Sequence, residues 1–589
     1  MLRAALAALC LVFSCVSVAA EFAPLQSVRL LDSPFLAAQD RNIAYLMAME
    51  PDRLLAPYLE EAGLEPRAEK YGNWESTGLG GHIGGHYLTA LSLAWASTGR
   101  EDIKNRLDHM LVELRRAQLA QGDGYLGGVP DGRRLLNELA AGDVRADLFS
   151  LNGYWVPWYN LHKTFAGLRD AWLYTANPLA RTMLLEWADW AAGLAASLDD
   201  EQMQAMLRTE HGGLNEVFAD VYLISGEDRY LGLARRFSHR SILTPLLDGE
   251  DRLTGLHANT QIPKVIGFER IAQLGGPEEW QEDWHQAARF FWDTVVNRRS
   301  VAIGGNSVRE HFHQVDDFSP MIAEIEGPET CNTYNMLKLT QLLFAAEPGA
   351  SYADYYERAL YNHILASQDP LSGGLVYFTP MRPQHYRVYS TVHDAMWCCV
   401  GSGLENHVKY GEFIYALDGP DLRVNLFIPS QLDWPAKGLK LRQVNRFPDR
   451  PETQLVFDAE VKTGLKLRFP EWAAGSPDVR INGEKQDAEV GADGYIRLAR
   501  DWKAGDTVTL QLPMETRLEQ MPGGEDWYAI LHGPVVLAAA TSPFENEVLD
   551  FYADGSRMGH IPSGQMCPLE RTPVFVADSP DFAGHIERV

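Results

Sequence analysis

Ten helical segments spread over residues 80–415 constrain the fold of this chain more than any other feature of its sequence. In each of them small and apolar residues recur at helical spacing, as in YLTALSLAWAS (87–97). The other segments cover residues 103–119, 161–173, 179–198, 219–223, 230–237, 262–274, 284–296, 336–344 and 352–365. This pattern predicts that the larger part of the chain is a helical domain.

A recurring stop signal divides these helices into hairpins. A Gly or Asn exit is followed by Pro or acidic residues at 97–102, 175–180, 225–230, 274–280 and 346–352. Asn177, Gly226 and Gly276 lie 49 and 50 positions apart. Helical hairpins that repeat at about fifty residues form an open solenoid or a closed ring. Roughly eleven or twelve helices match a ring of six hairpins, so we predict an (α/α)6 barrel over residues 21–417.

After about residue 418 the pattern changes to the two-residue alternation of β-strands. LRVNLFI (422–428) is one such run, and Asn482-Gly483 is a strong hairpin turn. We therefore predict a β-sandwich region over residues 418–589, with a possible extra strand at Ser27 to Leu31 that pairs with it. The predicted fold class is α+β multidomain, with the barrel as the catalytic domain followed by one or more C-terminal β-sandwich domains.

The first twenty residues have the pattern of a signal peptide. Arg3 is their only charge, an apolar run covers residues 4–16, and small residues end at Ala19-Ala20. We expect cleavage before Glu21 and export to the periplasm or the extracellular space. The apolar run is too short to span a bilayer comfortably, and no later segment is apolar enough to do so, so stable membrane insertion is not expected.

The charge of the chain excludes one class of partner. Its formal net charge is -27, spread along the sequence. Such a protein repels phosphate backbones, so we expect no nucleic-acid partner.

Four cysteines remain after removal of the predicted signal peptide: Cys331, Cys398, Cys399 and Cys567. Neighbouring cysteines such as Cys398 and Cys399 rarely bridge each other. The four could form one or two disulfides. Alternatively, Glu329, two residues before Cys331, could join three thiols in a tetrahedral zinc site. Spacing alone does not distinguish a structural metal from one that activates a thiolate nucleophile. Cys567 has no paired motif, and we interpret it as a free or buried thiol.

Four motifs carry a resemblance to a known family. They resemble the β-L-arabinofuranosidase group, families 127 and 146 of the glycoside hydrolases. The resemblance implies an (α/α)6 barrel followed by β-sandwich domains, a glycan or oligosaccharide substrate, and release of terminal L-arabinofuranose. The motifs are GGHIGGHYLTALSLAWASTG (80–99), GGNSVREHF (304–312), GPETCNTYNMLKLT (327–340) and HYRVYSTVHDAMWCCVGSGLENHVKYGEFIY (385–415).

The resemblance also implies roles for individual residues. The zinc ligands of the family fall on Glu329, Cys331, Cys398 and Cys399, and its nucleophile falls on Cys398. Its acid/base glutamate falls on Glu310 in REHF. The nearby glutamates at 324 and 326 are alternative positions for that role.

Five histidines are candidate substrate ligands. His82 and His86 lie four apart on one helical turn and could contact sugar hydroxyls, bind a second metal, or cap buried backbone. His162, in YNLHK, resembles a substrate-contacting histidine of the family. His211 and His257 precede later inner helices, where the barrel would open. The alternative for the last three is a core histidine bonded to backbone carbonyls.

The implied mechanism is a two-step retaining displacement. Glu310 protonates the leaving oxygen while the Cys398 thiolate attacks the anomeric carbon, and Glu310 then activates water. Tyr386, twelve residues before Cys398, could donate a hydrogen bond near the nucleophile. Three alternatives stay open: the same chemistry on another rare sugar, an (α/α)6 polysaccharide lyase or unsaturated-uronyl hydrolase, and a non-catalytic glycan-binding protein with structural zinc.

Overall fold

The computed structural model describes residues 19–275, 278–524, 526–542 and 549–572, together with Val574 and Val576. Residues 1–18 of the predicted signal peptide therefore lie outside the described residues. Gly276, one of the predicted helix stops, also lies outside them.

Seventeen α-helices are present in the described part of the chain. They are α1 (Pro34–Ala48), α2 (Pro51–Glu61), α3 (His82–Thr98), α4 (Glu101–Gln121), α5 (Gly132–Ala140), α6 (Pro157–Thr175), α7 (Pro178–Ala196), α8 (Asp200–Met206), α9 (Leu214–Ser225), α10 (Asp228–Arg236), α11 (Arg240–Leu247), α12 (Ala258–Leu274), α13 (Glu278–Arg298), α14 (Ser319–Ala323), α15 (Thr330–Ala346), α16 (Ala350–Ala359) and α17 (Cys398–Asn406).

Twelve of these helices form two concentric rings. In the inner ring α3, α6, α9, α12, α15 and α17 each pack against the next, and α17 closes the ring on α3. The helices α4, α7, α10, α13 and α16 lie outside, each against the inner helix that precedes it in sequence, and α1 lies outside against α3. The predicted (α/α)6 barrel is confirmed, and the ring is closed, unlike an open solenoid.

The predicted helix stops act through ordinary capping. Gly99 and Gly226 end α3 and α9 in the left-handed conformation, with φ of 72° and 77°, which glycine adopts without strain. Asn177 begins α7, and its side chain accepts a hydrogen bond from the N–H of Leu179 at 2.9 Å. These local signals set the hairpin repeat that brings the inner helices into register.

Helices α3 and α6 approach each other through glycine. A Cβ atom on Gly85 would lie 2.2 Å from the carbonyl carbon of Lys163. A Cβ on Gly167 would lie 2.6 Å from the Gly85 oxygen. No side chain fits at either position, so the glycines allow the two backbones to touch and place the first turns of α3 and α6 side by side.

The β-strands follow the barrel, apart from four short strands within or before it. The strands are β1 (Ala20–Phe22), β2 (Val28–Leu30), β3 (Ser150–Leu151), β4 (Tyr154–Trp155), β5 (Tyr415–Asp418), β6 (Asp421–Val424), β7 (Ser430–Trp434), β8 (Leu439–Asn445), β9 (Glu452–Phe457), β10 (Val461–Arg468), β11 (Asp478–Ile481), β12 (Glu484–Lys485), β13 (Tyr495–Trp502), β14 (Thr507–Gln511), β15 (Thr516–Gln520), β16 (Tyr528–His532) and β17 (Val535–Leu537).

Two of the sheets face each other as a sandwich. One has the order β1-β5-β6-β10-β13 and the other β12-β11-β14-β9-β8-β7-β2. Phe457 of β9 and Trp502 of β13 stack between them with ring centroids 4.5 Å apart. In β8 buried and exposed residues alternate, as expected for a sheet with one covered face. The predicted sandwich is confirmed, and so is the pairing of the 27–31 segment, because β2 pairs with β7.

A third sheet, β15-β16-β17, follows the sandwich. Residues 549–572, here termed the C-terminal segment, then return to the barrel. Tyr389 donates its N–H to the Phe551 carbonyl at 2.8 Å and accepts from Ala553 N–H at 2.9 Å. The side chain of Asn73 donates to the Ser556 carbonyl at 2.7 Å. The C-terminal segment is thereby attached to the rim of the barrel. In the described part of the chain, no helix has the length and apolar character needed to cross a membrane.

Candidate active site

The first residues of the inner helices meet at one end of the barrel. His82 is the first residue of α3, and His257 caps α12. Glu329 occupies the cap position of α15, and Cys398 begins α17. Helix N-termini carry a partial positive charge that stabilises anions. The carboxyl and thiol side chains at this end of the barrel therefore lie where a negative charge is stabilised.

Three thiols and one carboxylate form a buried cluster at this end, made of Glu329, Cys331, Cys398 and Cys399. The Sγ atoms of Cys331 and Cys399 are 3.1 Å apart, and Glu329 Oε1 lies 3.7 Å from Cys399 Sγ and 4.0 Å from Cys398 Sγ. All four potential ligand atoms lie within 4.8 Å of one another. The thiols are free, so the disulfide alternative does not hold for them.

The cluster fits a cation. Burial raises the pKa of Glu329 and of Cys331 well above their ordinary values, and the charge of Cys398 raises both further. Glu329 Oε2 is buried with no hydrogen-bond partner among the described residues. Four acidic groups packed this closely cannot all ionise without a positive charge among them. The cluster can bind a metal ion, and the unbonded oxygen and the thiols would be its ligands.

A second cluster surrounds Glu310. The Tyr377 hydroxyl donates a hydrogen bond to Glu310 Oε1, and His257 Nε2 lies 3.6 Å from Oε2. Burial alone would raise the pKa of Glu310, but His257 and Tyr377 lower it to about 2. Burial lowers the pKa of His257, yet Glu310 and Glu210 hold it above its ordinary value. The proton of this pair therefore lies on His257 while Glu310 is ionised, and transfer of that proton across the pair would turn Glu310 into an acid, which suits acid/base chemistry.

The backbone that carries Glu310 is strained. Arg309 and Glu310 both have left-handed φ, 48° and 67°, a conformation that costs about 1–3 kcal/mol at a non-glycine residue. Arg309 N–H donates to the Glu326 carbonyl at 2.8 Å, and the backbone carbonyl of Glu310 accepts from Ala258 N–H at 2.8 Å. These bonds hold the turn so that Glu310 points toward the cluster. One carboxyl oxygen of Glu329 lies within 4.8 Å of ligand atoms of both His257 and Glu310.

The remaining predicted histidines are buried beside these clusters. His82 Nε2 bonds to the Met396 carbonyl at 3.0 Å. His86 Nδ1 bonds to Glu405 at 2.5 Å, whereas its Nε2 has no partner among the described residues. The two rings therefore have different partners. Gly401 makes room for the second ring, since a Cβ there would lie 2.2 Å from His86 Cδ2.

His162 and His211 also carry unbonded nitrogens. Both ring nitrogens of His162, and Nε2 of His211, have no hydrogen-bond partner in the described part of the chain. His211 Nδ1 bonds to the Thr209 carbonyl at 3.0 Å. A buried polar atom without a partner costs free energy. A ligand rich in hydroxyl groups would supply the missing partners.

Tyr386 packs against the C-terminal segment, and its hydroxyl has no hydrogen bond to the thiols among the described residues. Its hydroxyl accepts a hydrogen bond from Gly564 N–H at 3.1 Å, and its ring packs edge-on against Phe551. Cys567 lies in the same segment, buried, with Sγ 2.9 Å from Gln384 Oε1. The prediction of a free or buried thiol is confirmed for Cys567.

Sequence reasoning missed four residues at this end of the barrel: Tyr377, Glu210, Glu405 and His560. Glu210 adjoins His211 in the sequence, and burial raises its pKa while His257 lowers it. Glu405 lies within one of the quoted motifs, so its position there could have identified it. Tyr377 reaches Glu310 across 67 residues of sequence, and no local signal marks that contact.

Comparison with known proteins places this arrangement in a family. A model described as "Beta-L-arabinofuranosidase, GH127 catalytic domain" matches residues 27–412. A second, for the GH127 middle domain, matches residues 421–514, and a third, a domain of unknown function, matches residues 517–589. A curated relative is the "Non-reducing end beta-L-arabinofuranosidase" of Bifidobacterium longum subsp. longum, 26% identical over 283 residues. That match covers 43% of this chain and 41% of the relative, so it spans about two fifths of the relative's length.

Solved structures agree on the fold. A GH127 β-L-arabinofuranosidase from Geobacillus stearothermophilus T6 superposes with a TM-score of 0.67 at 20% identity, covering 86% of each chain. Another GH127 β-arabinofuranosidase gives a TM-score of 0.70 at 18% identity over 88% of this chain and 85% of the other.

Proposed function

From the premise that this chain belongs to the GH127 family of glycoside hydrolases, we propose that it is an exo-acting retaining β-L-arabinofuranosidase that uses zinc. The curated relative, whose printed name specifies the non-reducing end, supports the exo mode. The observation that carries the proposal is the adjacency of the two clusters. Glu329 belongs to the thiol cluster and also lies within 4.8 Å of the His257–Glu310 pair.

Cys398 is the proposed nucleophile. It is the first residue of α17, so its sulfur lies at a helix N-terminus, where a thiolate is stabilised. It is also the most exposed of the three clustered cysteines, at 7% against 3% and 0%. Of the three, it is best placed to meet a substrate carbon.

Glu310 is the proposed acid/base. In the first step the Cys398 sulfur forms a bond to the anomeric carbon, and the bond to the leaving oxygen breaks as Glu310 delivers a proton to it. In the second step Glu310 takes a proton from water, whose oxygen attacks the anomeric carbon and releases the sulfur. Tyr377 and His257 hold the Glu310 carboxylate in place throughout.

Glu329, Cys331, Cys398 and Cys399 are the proposed zinc ligands. Thiolate-rich donor sets suit this metal. When bound, zinc would lower the pKa of the Cys398 thiol and make its sulfur a better leaving group.

The substrate is proposed to be a glycan ending in L-arabinofuranose. The unbonded nitrogens of His86, His162 and His211 offer donors and acceptors for sugar hydroxyls. Export to the periplasm or the extracellular space is also part of the proposal, and it rests on the sequence of the first twenty residues.

Release of p-nitrophenol from its β-L-arabinofuranoside tests the proposal. We expect turnover by the unmodified protein with about one zinc per chain, and no measurable turnover by Cys398→Ala. Cys567→Ala is the matched control, because it removes a buried thiol outside the cluster, and it should keep full activity. Turnover by Cys398→Ala would reject the nucleophile, and failure of the unmodified protein on this glycoside would reject the sugar.

A further inference from the structure

The C-terminal segment places the imidazole of His560 beside residues of the candidate active site. His560 is 4% exposed, and its ring stacks on Tyr377 with centroids 4.4 Å apart and an interplanar angle of 25°. Tyr377 is the residue whose hydroxyl donates to Glu310. The His560 ring also meets Trp397 edge-on at 5.4 Å, and Trp397 immediately precedes Cys398. His560 therefore contacts the neighbours of both proposed reacting residues.

Side chains of the barrel hold the C-terminal segment in place next to His560. Trp74 Nε1 donates to the Arg557 carbonyl at 3.0 Å, and the Arg557 guanidinium lies 4.3 Å from the centre of the Trp155 ring. Trp74 also packs edge-on against His560, at 5.8 Å. Two tryptophans of the barrel and one arginine of the segment thus fix the position of the imidazole before any ligand binds.

One nitrogen of this ring makes no hydrogen bond to the described part of the protein. Nδ1 of His560 is buried and has no hydrogen-bond partner among the described residues. A buried imidazole held only for packing would be replaceable by an aromatic ring without that cost. The unbonded nitrogens of His162 and His86 belong to the same end of the barrel. Each of these nitrogens could bond to a hydroxyl of a bound sugar.

We propose that His560 is a sugar-binding residue of the active site, so that the C-terminal segment, which lies in a domain of unknown function, completes the subsite for the terminal sugar. This proposal rests on the proposed glycosidase function. The hydroxyl-bearing face of a furanose or pyranose would receive a hydrogen bond from the imidazole, in the space bounded by Tyr377 and Trp397. The barrel alone would then bind the sugar more weakly.

Two substitutions in the full-length, zinc-loaded protein separate sugar binding from packing. His560→Phe keeps an aromatic ring on Tyr377 but removes both nitrogens. His560→Asn loses the ring but keeps an amide near the position of Nδ1. If His560 binds sugar, kcat/KM should fall roughly tenfold or more in His560→Phe, the loss expected for a hydrogen bond left unmade, and His560→Asn should be the more active of the two. The melting temperature and zinc content of His560→Phe should match those of the unmodified protein.

The reverse order, with His560→Phe fully active and His560→Asn impaired, would show that the ring only packs and would overturn the proposal. His393→Phe is the matched control, since His393 stacks on Tyr71 at 6.1 Å but its side chain is 47% exposed; it should leave kcat/KM unchanged. The assays use a panel of p-nitrophenyl glycosides. If another sugar is the best substrate, the arabinofuranosidase assignment fails and the variants are compared on that sugar. If no glycoside is hydrolysed, both proposals are overturned.

Discussion

Two polar layers lie inside the same ring of helices, and they differ in how their buried groups are bonded. The proposed catalytic layer holds the thiols, Glu310 and histidines with unbonded nitrogens. The second layer is centred on Arg169, seven residues beyond His162 on α6, or ~10 Å along the helix at 1.5 Å per residue. There Arg169 donates to Asp170, Glu216 and Asp220 at 2.8, 3.1 and 3.0 Å.

The second layer is complete within the protein. Lys338 donates to Glu216 at 2.9 Å, Arg270 donates to Asp220 at 2.7 Å, and Thr89 donates to Asp170 at 2.8 Å. Three cations balance three carboxylates, and the network links α3, α6, α9, α12 and α15. Burial alone would raise the pKa of Glu216, but Lys338 and Arg169 lower it to about 2.

The difference indicates what each layer is for. A buried network with every partner present holds the inner helices together. A buried layer with partners missing can receive them from a ligand, and the proposed metal ion and sugar would supply them here. Substitutions in the first layer should therefore reduce activity at little cost in stability, and substitutions in the second should do the opposite.

The largest expected effect is on activity, in Glu310→Gln. Loss of the acid/base should lower kcat/KM by roughly 10²–10⁴ on a substrate with a poor leaving group. The loss should be smaller for the first step with a dinitrophenyl leaving group, which needs no proton. Steady-state and burst kinetics with both leaving groups measure this. Equal losses on both substrates would remove Glu310 from the acid role, and a melting temperature far below that of the unmodified protein would break the contrast between the layers.

Arg169→Met should produce the largest loss of stability. It leaves Asp170 without a buried cation and removes one of the two cations that Glu216 and Asp220 each have, and breaking such a network costs about 3–5 kcal/mol. Urea unfolding followed by circular dichroism measures the free energy of unfolding. At a temperature where the variant is folded, its KM should stay within about twofold of the original, a change of only ~0.4 kcal/mol. A stable variant with impaired substrate binding would show that the second layer belongs to the active site.

The sequence predicts the rings, the sandwich and the thiol cluster because each follows from local signals. Gly99, Gly226 and Asn177 end or begin helices by capping, and a hairpin repeat set by such caps closes into a ring. Glu329 and Cys331 lie on one helix start, and Cys398 and Cys399 on another, so closing the ring brings them together.

Other contacts could not be predicted because they depend on where distant segments finish in space. Tyr377 follows α16 in an irregular stretch and reaches Glu310 only because the loop before α15 folds back in left-handed conformation. His560 belongs to a segment without an α-helix or a strand, whose path depends on hydrogen bonds to Asn73 and Tyr389. Neither residue lies in a periodic pattern that would have marked it.

His162→Leu should reduce activity by a smaller factor and cost little stability. Both of its nitrogens lack partners among the described residues, so an apolar side chain of similar size removes two unsatisfied buried atoms. We expect kcat/KM to fall roughly 10–100-fold if those nitrogens bind sugar, about 1.4–2.8 kcal/mol, with the free energy of unfolding unchanged within ~1 kcal/mol. Calorimetry and initial rates test this. Full activity would assign His162 to the core, the alternative that its sequence context left open.

The smallest expected effect is that of Tyr386→Phe, which tests whether this residue serves the sugar or the C-terminal segment. The hydroxyl accepts only the Gly564 N–H among the described residues, and losing one such bond costs about 0.5–1.5 kcal/mol. Hydrogen exchange of residues 549–572 should therefore quicken, while kcat changes less than about twofold, ~0.4 kcal/mol. A modest rise in KM would follow, because His560 would be held less firmly. In a protein that already carries His560→Phe, Tyr386→Phe should cause no further rise in KM, because the effects of two residues that act through the same contact are not additive. If Tyr386→Phe instead lowers kcat tenfold with exchange unchanged, Tyr386 acts at the nucleophile, and the C-terminal segment does not depend on it.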